Sequence, residues 1–116
     1  MRINMIAIVG AIGILAAWSV EAEDAEIEKG EEIYLGRCEY CHGEGPHRSA
    51  TSTLGRRYKD TEIAAVLSER TDLTPDVIRA FVRNATPSMA PVRKTEISDE
   101  ELEWLIAYLT RNNPES

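Results

Sequence analysis

The interpretation of this chain depends on a short stretch, Cys38-Glu39-Tyr40-Cys41-His42. The C-x-x-C-H pattern is typical of c-type haem attachment. Two thiols three positions apart near the end of a helix can each form a thioether with a vinyl group of the same haem. The adjacent His42 then lies beneath the iron as its proximal ligand. The stretch therefore predicts one covalently attached haem c, held by Cys38, Cys41 and His42.

The cysteine pair has two other possible roles, a redox disulfide and half of a zinc site. A redox-active C-x-x-C disulfide is typical of a thioredoxin-like βαβ unit, which the sequence around Cys38 and Cys41 does not suggest. A zinc site needs two further ligands, and the chain has only two cysteines and two histidines. The haem interpretation is favoured over both.

The opposite face of a haem bound by His42 needs a ligand or stays open. Met89 is the only methionine beyond the N-terminal segment, and it lies in the proline-rich stretch Thr86–Pro91. Two prolines lower the entropy cost of holding its thioether in a fixed place. Met89 is therefore the predicted distal ligand of the haem iron, and a methionine that simply fills the core is the alternative. His47 is the rival ligand, but it follows His42 by only five positions and is poorly placed to reach the far side of a macrocycle.

Length, composition and charge restrict the remaining possibilities. The chain has 116 residues, which corresponds to a single domain, and its 28% charged and 43% hydrophobic residues are typical of a globular protein. The net charge of -7 opposes the neutralisation of phosphates on which nucleic-acid binding depends. No nucleic-acid partner is expected.

The N-terminal segment predicts a cleaved signal peptide over residues 1–22. Arg2 supplies a positive start, Met5–Trp18 is apolar or glycine, and Val20-Glu21-Ala22 matches a small-x-small cleavage site. An uncleaved anchor is the alternative, but the apolar stretch is shorter than the roughly 20 residues of a spanning helix. We expect residues 23–116 to form one domain in the periplasm, with no permanent membrane span.

Four helices are predicted in this domain, and no run of β-branched residues alternates long enough to indicate a sheet. The fold class is therefore all-α. The predicted helices run from Ile27 to Cys38, from Asp60 or Thr61 to about Arg70, from a Thr74 N-cap and Pro75 to about Asn84, and from a Ser98–Glu101 capping box to about Arg111.

Together these residues make the sequence resemble the class I cytochromes c, over nearly all of residues 23–116. In that family a glycine-containing N-terminal helix crosses a C-terminal helix that carries an aromatic residue. The resemblance implies that Gly30 and Tyr34 meet Leu105 and Tyr108, and that short helices wrap around the haem. With two axial ligands on the iron, it implies an electron carrier and not an enzyme. A thioether ligand and a buried haem both favour ferrous iron.

A narrower resemblance, in the second half of the chain, is to the small cytochrome subunits of flavocytochrome dehydrogenases that oxidise 4-alkylphenols, such as the p-cresol and eugenol dehydrogenases. It implies a flavoprotein dehydrogenase as electron donor and a periplasmic or membrane acceptor leading to the respiratory chain. The segments that carry it are Arg70–Pro75, Phe81–Asn84, Met89 and Arg93–Leu102.

The sequence departs from this narrower pattern at the predicted ligand loop. It has Met89-Ala90-Pro91-Val92 where Met-Pro-Pro-Phe is usual, and Ala85 follows Asn84 where glycine is more usual. These changes bear on partner docking, and ligation by Met89 tolerates them. A free diffusible carrier that serves a terminal oxidase or several partners is the alternative. A haem enzyme or gas sensor would need an open sixth position.

Two further expectations concern the surroundings of the motif. The Pro46 carbonyl is a candidate to accept a hydrogen bond from the His42 ring. Four basic residues that follow the motif are candidates to contact a haem propionate or an acidic partner: Arg48, Arg56, Arg57 and Lys59. Residues 23–32 are strongly acidic, so we expect the charge of the molecule to be dipolar.

Overall fold

The computed structural model describes residues 6–114, with side chains from Trp18 onward. The first five residues of the predicted signal peptide lie outside this range. Cleavage after Ala22 stays a prediction. No helix in the described part of the chain has the length and apolar character needed to cross a membrane.

The described residues form helices and connecting turns and contain no strand, which confirms the all-α class. Five α-helices are separated at two points by other helical turns, a π-helical turn after the first and a 3₁₀ turn before the fourth. In chain order the elements are α1 (Ile6–Ile33), the π-helical turn (Tyr34–Cys38), α2 (Glu39–His42), α3 (Ser49–Arg57), the 3₁₀ turn (Leu67–Glu69), α4 (Pro75–Arg83) and α5 (Asp99–Thr110).

The main packing interaction is the crossing of α1 and α5. Gly30 is buried where the two backbones approach, and a Cβ there would collide with the carbonyl of Trp104 and lie 2.8 Å from the Tyr108 Cβ. Four residues later the rings of Tyr34 and Tyr108 pack with centroids 5.4 Å apart. The predicted meeting of Gly30 and Tyr34 with Tyr108 is confirmed, and the other α5 residue that Gly30 approaches is Trp104, where Leu105 was expected.

The two C-terminal helices begin with the predicted caps. At α4 the Thr74 hydroxyl accepts a hydrogen bond from the Val77 amide at 3.3 Å, with Pro75 following the cap. At α5 the Ser98 hydroxyl accepts from the Glu101 amide at 3.1 Å, and the Glu101 carboxylate accepts from the Ser98 amide at 2.7 Å. The helices end at Arg83 and Thr110, within one residue of the predicted ends.

The hydrophobic core is unevenly distributed along the chain. Its buried members come from the π-helical turn (Tyr34), from α4 and α5, and from the short stretches that precede these two helices (Leu73 and Ile97). No hydrophobic residue between 35 and 69 is buried, although all of these residues are described. The buried hydrophobic residues are Tyr34, Leu73, Ile78, Val82, Ile97, Leu102, Leu105, Ile106, Tyr108 and Leu109.

The helix predicted from Asp60 to Arg70 is wrong. Asp60 has a left-handed backbone (φ 67°), which closes a turn after α3, and the Thr61 hydroxyl donates to the Tyr58 carbonyl at 2.7 Å. Only the 3₁₀ turn Leu67–Glu69 is helical in this segment. The Ser49–Arg57 helix was not predicted, because its polar sequence lacks an apolar repeat.

The first predicted helix, from Ile27 to Cys38, is present but changes its winding. The α-helical part ends at Ile33, and Tyr34–Cys38 continues as a π-helical turn. Upstream, α1 begins at Ile6, well before the predicted start.

Candidate functional site

The C-x-x-C-H stretch lies at the junction of the π-helical turn and α2. Cys38 is the last residue of the π-helical turn, and Cys41 and His42 are the last two residues of α2. Single π-turns inside helices are frequent at functional sites. The helix ends at Gly43, whose amide donates to the Glu39 carbonyl at 2.8 Å. A Cβ at Gly43 would lie 2.7 Å from that carbonyl oxygen, so glycine is needed here.

Side chains from outside the motif bind the backbone carbonyls around its C-terminal end. The Tyr34 hydroxyl donates to the His42 carbonyl at 3.1 Å, and the Thr51 hydroxyl donates to the Gly43 carbonyl at 2.7 Å. Arg48 donates to the Tyr40 carbonyl at 3.2 Å and to the Glu44 carbonyl at 3.4 Å. Hydrogen bonds therefore connect the end of α2 to the π-helical turn, through Tyr34, and to α3, through Thr51.

The two cysteines are free thiols, and both are half-buried. Burial, with a smaller contribution from the neighbouring Cys41, raises the pKa of the Cys38 thiol to about 11. A catalytic redox cysteine instead has a lowered pKa, because the thiolate is the reactive form. The environment of Cys38 therefore does not favour the redox-disulfide interpretation.

The His42 ring is in a state suited to metal ligation. Burial lowers the pKa of this imidazole, which favours the neutral ring that metals bind. Its Nδ1 atom is buried and has no hydrogen-bond partner in the structure. The predicted hydrogen bond from this ring to the Pro46 carbonyl is absent. Pro46 lies exposed on the following turn, in which Gly45 adopts a φ of 117°.

These observations fit a haem. Burial favours the neutral imidazole of His42, which can bind an iron atom through one of its ring nitrogens. The segment 35–69 has no buried hydrophobic residue, and Leu35 and Tyr40 are 52% and 83% exposed. A large apolar macrocycle would cover surface of this kind. The donor set of two thiols and one imidazole has the order that covalent haem attachment requires. No group of three or more His, Cys, Asp or Glu side chains within residues 6–114 could hold a metal ion.

Met89 lies on the irregular segment between α4 and α5, as its proline-rich sequence predicts. Its amide donates to the Thr86 hydroxyl at 2.9 Å, and the Thr86 amide donates to the Met89 carbonyl at 3.0 Å. At the base of the loop, the Val92 amide donates to the Val82 carbonyl at 2.8 Å. The side chain of Met89 is half-buried. The loop is thus closed by hydrogen bonds at both its tip and its base.

The other residues considered from the sequence have different surroundings. His47 is exposed on the turn that follows α2. Arg48 is engaged with backbone carbonyls of the motif, whereas Arg56 and Arg57 are exposed at the end of α3.

Two engaged arginines were not assigned a role from the sequence. Arg70 is buried and forms a bidentate pair with Asp72 at 2.6 and 2.7 Å. Arg83 binds the segment that follows Met89. No sequence pattern singles them out, and the carbonyls that Arg83 binds lie 9 to 15 positions away along the chain.

The helical fold around a C-x-x-C-H stretch defines the chain as a c-type cytochrome domain, an electron carrier whose family implies haem c. A family model described as cytochrome c oxidase, cbb3-type, subunit III matches residues 25–109. The chain belongs to this family, and the matched range includes the whole motif and Met89. Neither a search of curated proteins nor a search of solved structures returned a match.

Proposed function

We propose that this protein carries single electrons on one haem c, attached through Cys38 and Cys41 and ligated by His42 and Met89. The observation that carries the proposal is the C-x-x-C-H turn, which places the free thiols of Cys38 and Cys41 and the His42 imidazole together at the end of the π-helical turn and in α2. When bound, the haem supplies one-electron chemistry through its ferric and ferrous states.

The chain's own residues perform the remaining tasks. Cys38 and Cys41 would hold the haem through thioethers, each formed by addition of an S–H across a vinyl double bond without net oxidation. The neutral imidazole of His42 would be one iron ligand, and Tyr34, Arg48 and Thr51 fix the backbone that carries it. The Met89 thioether would be the second ligand and would exclude oxygen and peroxide from the iron.

The proposed place of action is the periplasm. Haem attachment to C-x-x-C-H motifs is associated with that side of the inner membrane, and the N-terminal sequence has the three parts of a secretory signal peptide. Export followed by cleavage after Ala22 delivers residues 23–116 to this compartment.

The proposed electron donor is a flavoprotein dehydrogenase that oxidises 4-alkylphenols. Support comes from the resemblance in the second half of the chain and from an apolar surface beside the Met89 loop. In this surface Phe81 is 54% and Val77 43% exposed, and a concavity of about 190 Å³ is lined by Ala80, Phe81, Asn84 and Thr86. Exposed aromatic residues are common at protein interfaces.

A second candidate is a carrier that delivers electrons to a terminal oxidase. The observation that favours it is the family match, because the family model is described as an oxidase subunit. This candidate needs no flavoprotein partner and keeps the same haem site.

The visible absorption spectrum of the protein purified from its own cells, followed through size exclusion, separates the two candidates. Haem bands that elute together with flavin absorbance in one larger peak support the flavoprotein partner. Haem bands that elute alone at the size of residues 23–116 favour the free carrier. A purified protein that shows no c-type haem bands at either elution position would contradict the proposed function.

A further inference from the structure

The Arg83 side chain binds both the segment that follows Met89 and the start of α5. One guanidinium nitrogen, Nη1, donates to the Val92 carbonyl at 3.1 Å and to the Ile97 carbonyl at 2.9 Å. The other, Nη2, donates to the Ser98 carbonyl and to the Asp99 carboxylate, both at 3.1 Å. A planar guanidinium with five fixed N–H groups can serve several acceptors at once, which a lysine ammonium does less well.

These bonds close the base of the Met89 loop. Arg83 is the last residue of α4, immediately before the loop, and Val92 follows the loop's second proline. Arg83 therefore links the two ends of the loop directly, alongside the backbone bond from Val92 to Val82. Closing a loop at its base reduces the conformational entropy that ordering its tip must overcome.

The packing of α4 on α5 does not depend on Arg83 alone. One turn earlier, Arg79 forms a bidentate ion pair with Glu103 of α5, at 3.0 and 2.7 Å. That pair joins the two helices, and the hydrogen bonds of Arg79 go to Glu103 and Asp76, not to the Met89 loop. Arg83 differs because its side chain is only 20% exposed and its first acceptor lies at the end of the loop.

We propose that Arg83 is a positioning residue for the Met89 thioether: it fixes the span of the loop and thereby keeps the sulfur at the distance that iron ligation requires. The inference rests on the proposed function, in which Met89 is the distal ligand. The hydrogen-bond acceptors of Arg83 are three backbone carbonyls and the Asp99 carboxylate.

Arg83→Gln in the haem-loaded protein tests the proposal, with Arg79→Gln as the matched control and Met89→Ala as the reference for an open sixth position. The readouts are carbon monoxide binding by the reduced protein at neutral pH and the sulfur-to-iron charge-transfer band of the oxidised protein. Thermal unfolding, recorded in parallel, ensures that every variant is compared while folded.

We expect Arg83→Gln to bind carbon monoxide about 10-fold more tightly than the unchanged protein, near the lower end of what loss of an outer-shell partner costs a metal ligand. Its charge-transfer band weakens, whereas Arg79→Gln changes neither readout. If Arg83→Gln does not fold, Arg83→Lys retains the charge but serves fewer acceptors, and an intermediate effect is expected.

The outcomes distinguish the positioning role of Arg83 from the ligation of iron by Met89, on which it rests. If Met89→Ala opens the site while the Arg83 variants behave like Arg79→Gln, ligation by Met89 stands and the positioning role is overturned. If Met89→Ala leaves carbon monoxide binding and the charge-transfer band unchanged, Met89 is not the ligand, and both proposals fail.

Discussion

The two halves of this small domain differ in what stabilises them. The crossing of α1 and α5, with α4 beside it, has a core of buried hydrophobic side chains and a backbone contact so close that it requires Gly30. The segment 35–69, which includes the C-x-x-C-H motif and α3, has no buried hydrophobic residue. It is connected to the first half by hydrogen bonds, such as that from Tyr34 to the His42 carbonyl, and by the packing of the partly buried Cys38 and Leu67 on that core.

The difference indicates where a cofactor contributes to the fold. Small domains bury a low fraction of their surface and often need a metal, a disulfide or a bound group as reinforcement. Here the polypeptide supplies its own core on one side, and the proposed haem supplies the apolar centre on the other. The cofactor is then part of the structure as well as the redox group.

The largest effect is expected from removal of both attachment thiols. In Cys38→Ser/Cys41→Ser, haem is no longer covalently held, and residues 35–69 should lose most of their amide-exchange protection, because local stability follows local packing. The α1–α5 crossing should retain its slowest-exchanging amides. Exchange followed by mass spectrometry measures both regions at once. Equal loss of protection in both would show that the two halves are not distinct.

Met89→Ala tests whether the reduction potential can change while the α1–α5 half stays intact. Loss of the thioether should lower the reduction potential by about 0.1 V or more, a part of the roughly 0.8 V range that axial ligands set. Covalent haem and the α1–α5 crossing should remain intact. Potentiometry with visible spectroscopy measures the change, and an unaltered potential would rule out ligation by Met89.

Gly30→Ala tests the half that packs by itself. Its Cβ would collide with the backbone of Trp104, so α1 and α5 must move apart, at a cost of about 1–3 kcal/mol of unfolding free energy. Gly36→Ala is the matched control, since nothing lies within 4 Å of the Cβ position there. Denaturant unfolding of both haem-loaded variants gives the comparison. Equal stability of the two would argue against a close helix crossing.

Tyr34→Phe tests the connection between the halves. The ring still packs on Tyr108, but the hydrogen bond to the His42 carbonyl is lost, which should cost about 1 kcal/mol. Tyr108→Phe removes the hydroxyl of the other ring and leaves that bond in place. A larger loss of amide protection around His42 in Tyr34→Phe than in Tyr108→Phe is the expected result, and the reverse order would contradict it.

The smallest effect concerns pH and the Arg70–Asp72 pair. The hydrogen bonds from Arg70 lower the pKa of the Asp72 carboxyl below its ordinary value of 3.8. A lowered folded-state pKa contributes stability that is complete above the ordinary value and is lost as the pH falls through the lower one. At pH 7, Asp72→Asn should cost about 0.5 kcal/mol, because the carboxylate is partly solvent-screened.

The pH series has an internal check. The difference between Asp72→Asn and the unchanged protein should shrink as the pH falls below 3.8. Asp76→Asn, at a side chain that is 97% exposed, should change stability less at every pH. A difference for Asp72→Asn that stays constant between pH 7 and pH 3 would contradict a role for its charge.

The parts of the fold that were predictable have local signals. Thr74-Pro75 and the Ser98–Glu101 capping box are specified by neighbouring residues, and the structure contains both caps. The glycine and tyrosine of the helix crossing were correctly placed because a resemblance supplied the partner helix. The C-x-x-C-H turn was recognisable because its chemistry requires that spacing.

The errors fall in the half without its own core. Ile63, Val66 and Leu67 have helical spacing, but spacing only shows that side chains share a face. The segment instead follows a left-handed turn at Asp60 and is helical only at Leu67–Glu69. Conversely, α3 is polar and gave no apolar repeat. Its role, donating the Thr51 hydroxyl to the end of the motif, depends on a tertiary contact that no local pattern reveals.

The most direct test of the central claim is the intact mass of the purified protein under denaturing conditions, together with the mass of the peptide that contains Cys38 and Cys41. The account predicts an added mass of exactly one haem that remains after denaturation and is located on this peptide. A polypeptide without added mass, or one lighter by the two hydrogens of a Cys38–Cys41 disulfide, would contradict it.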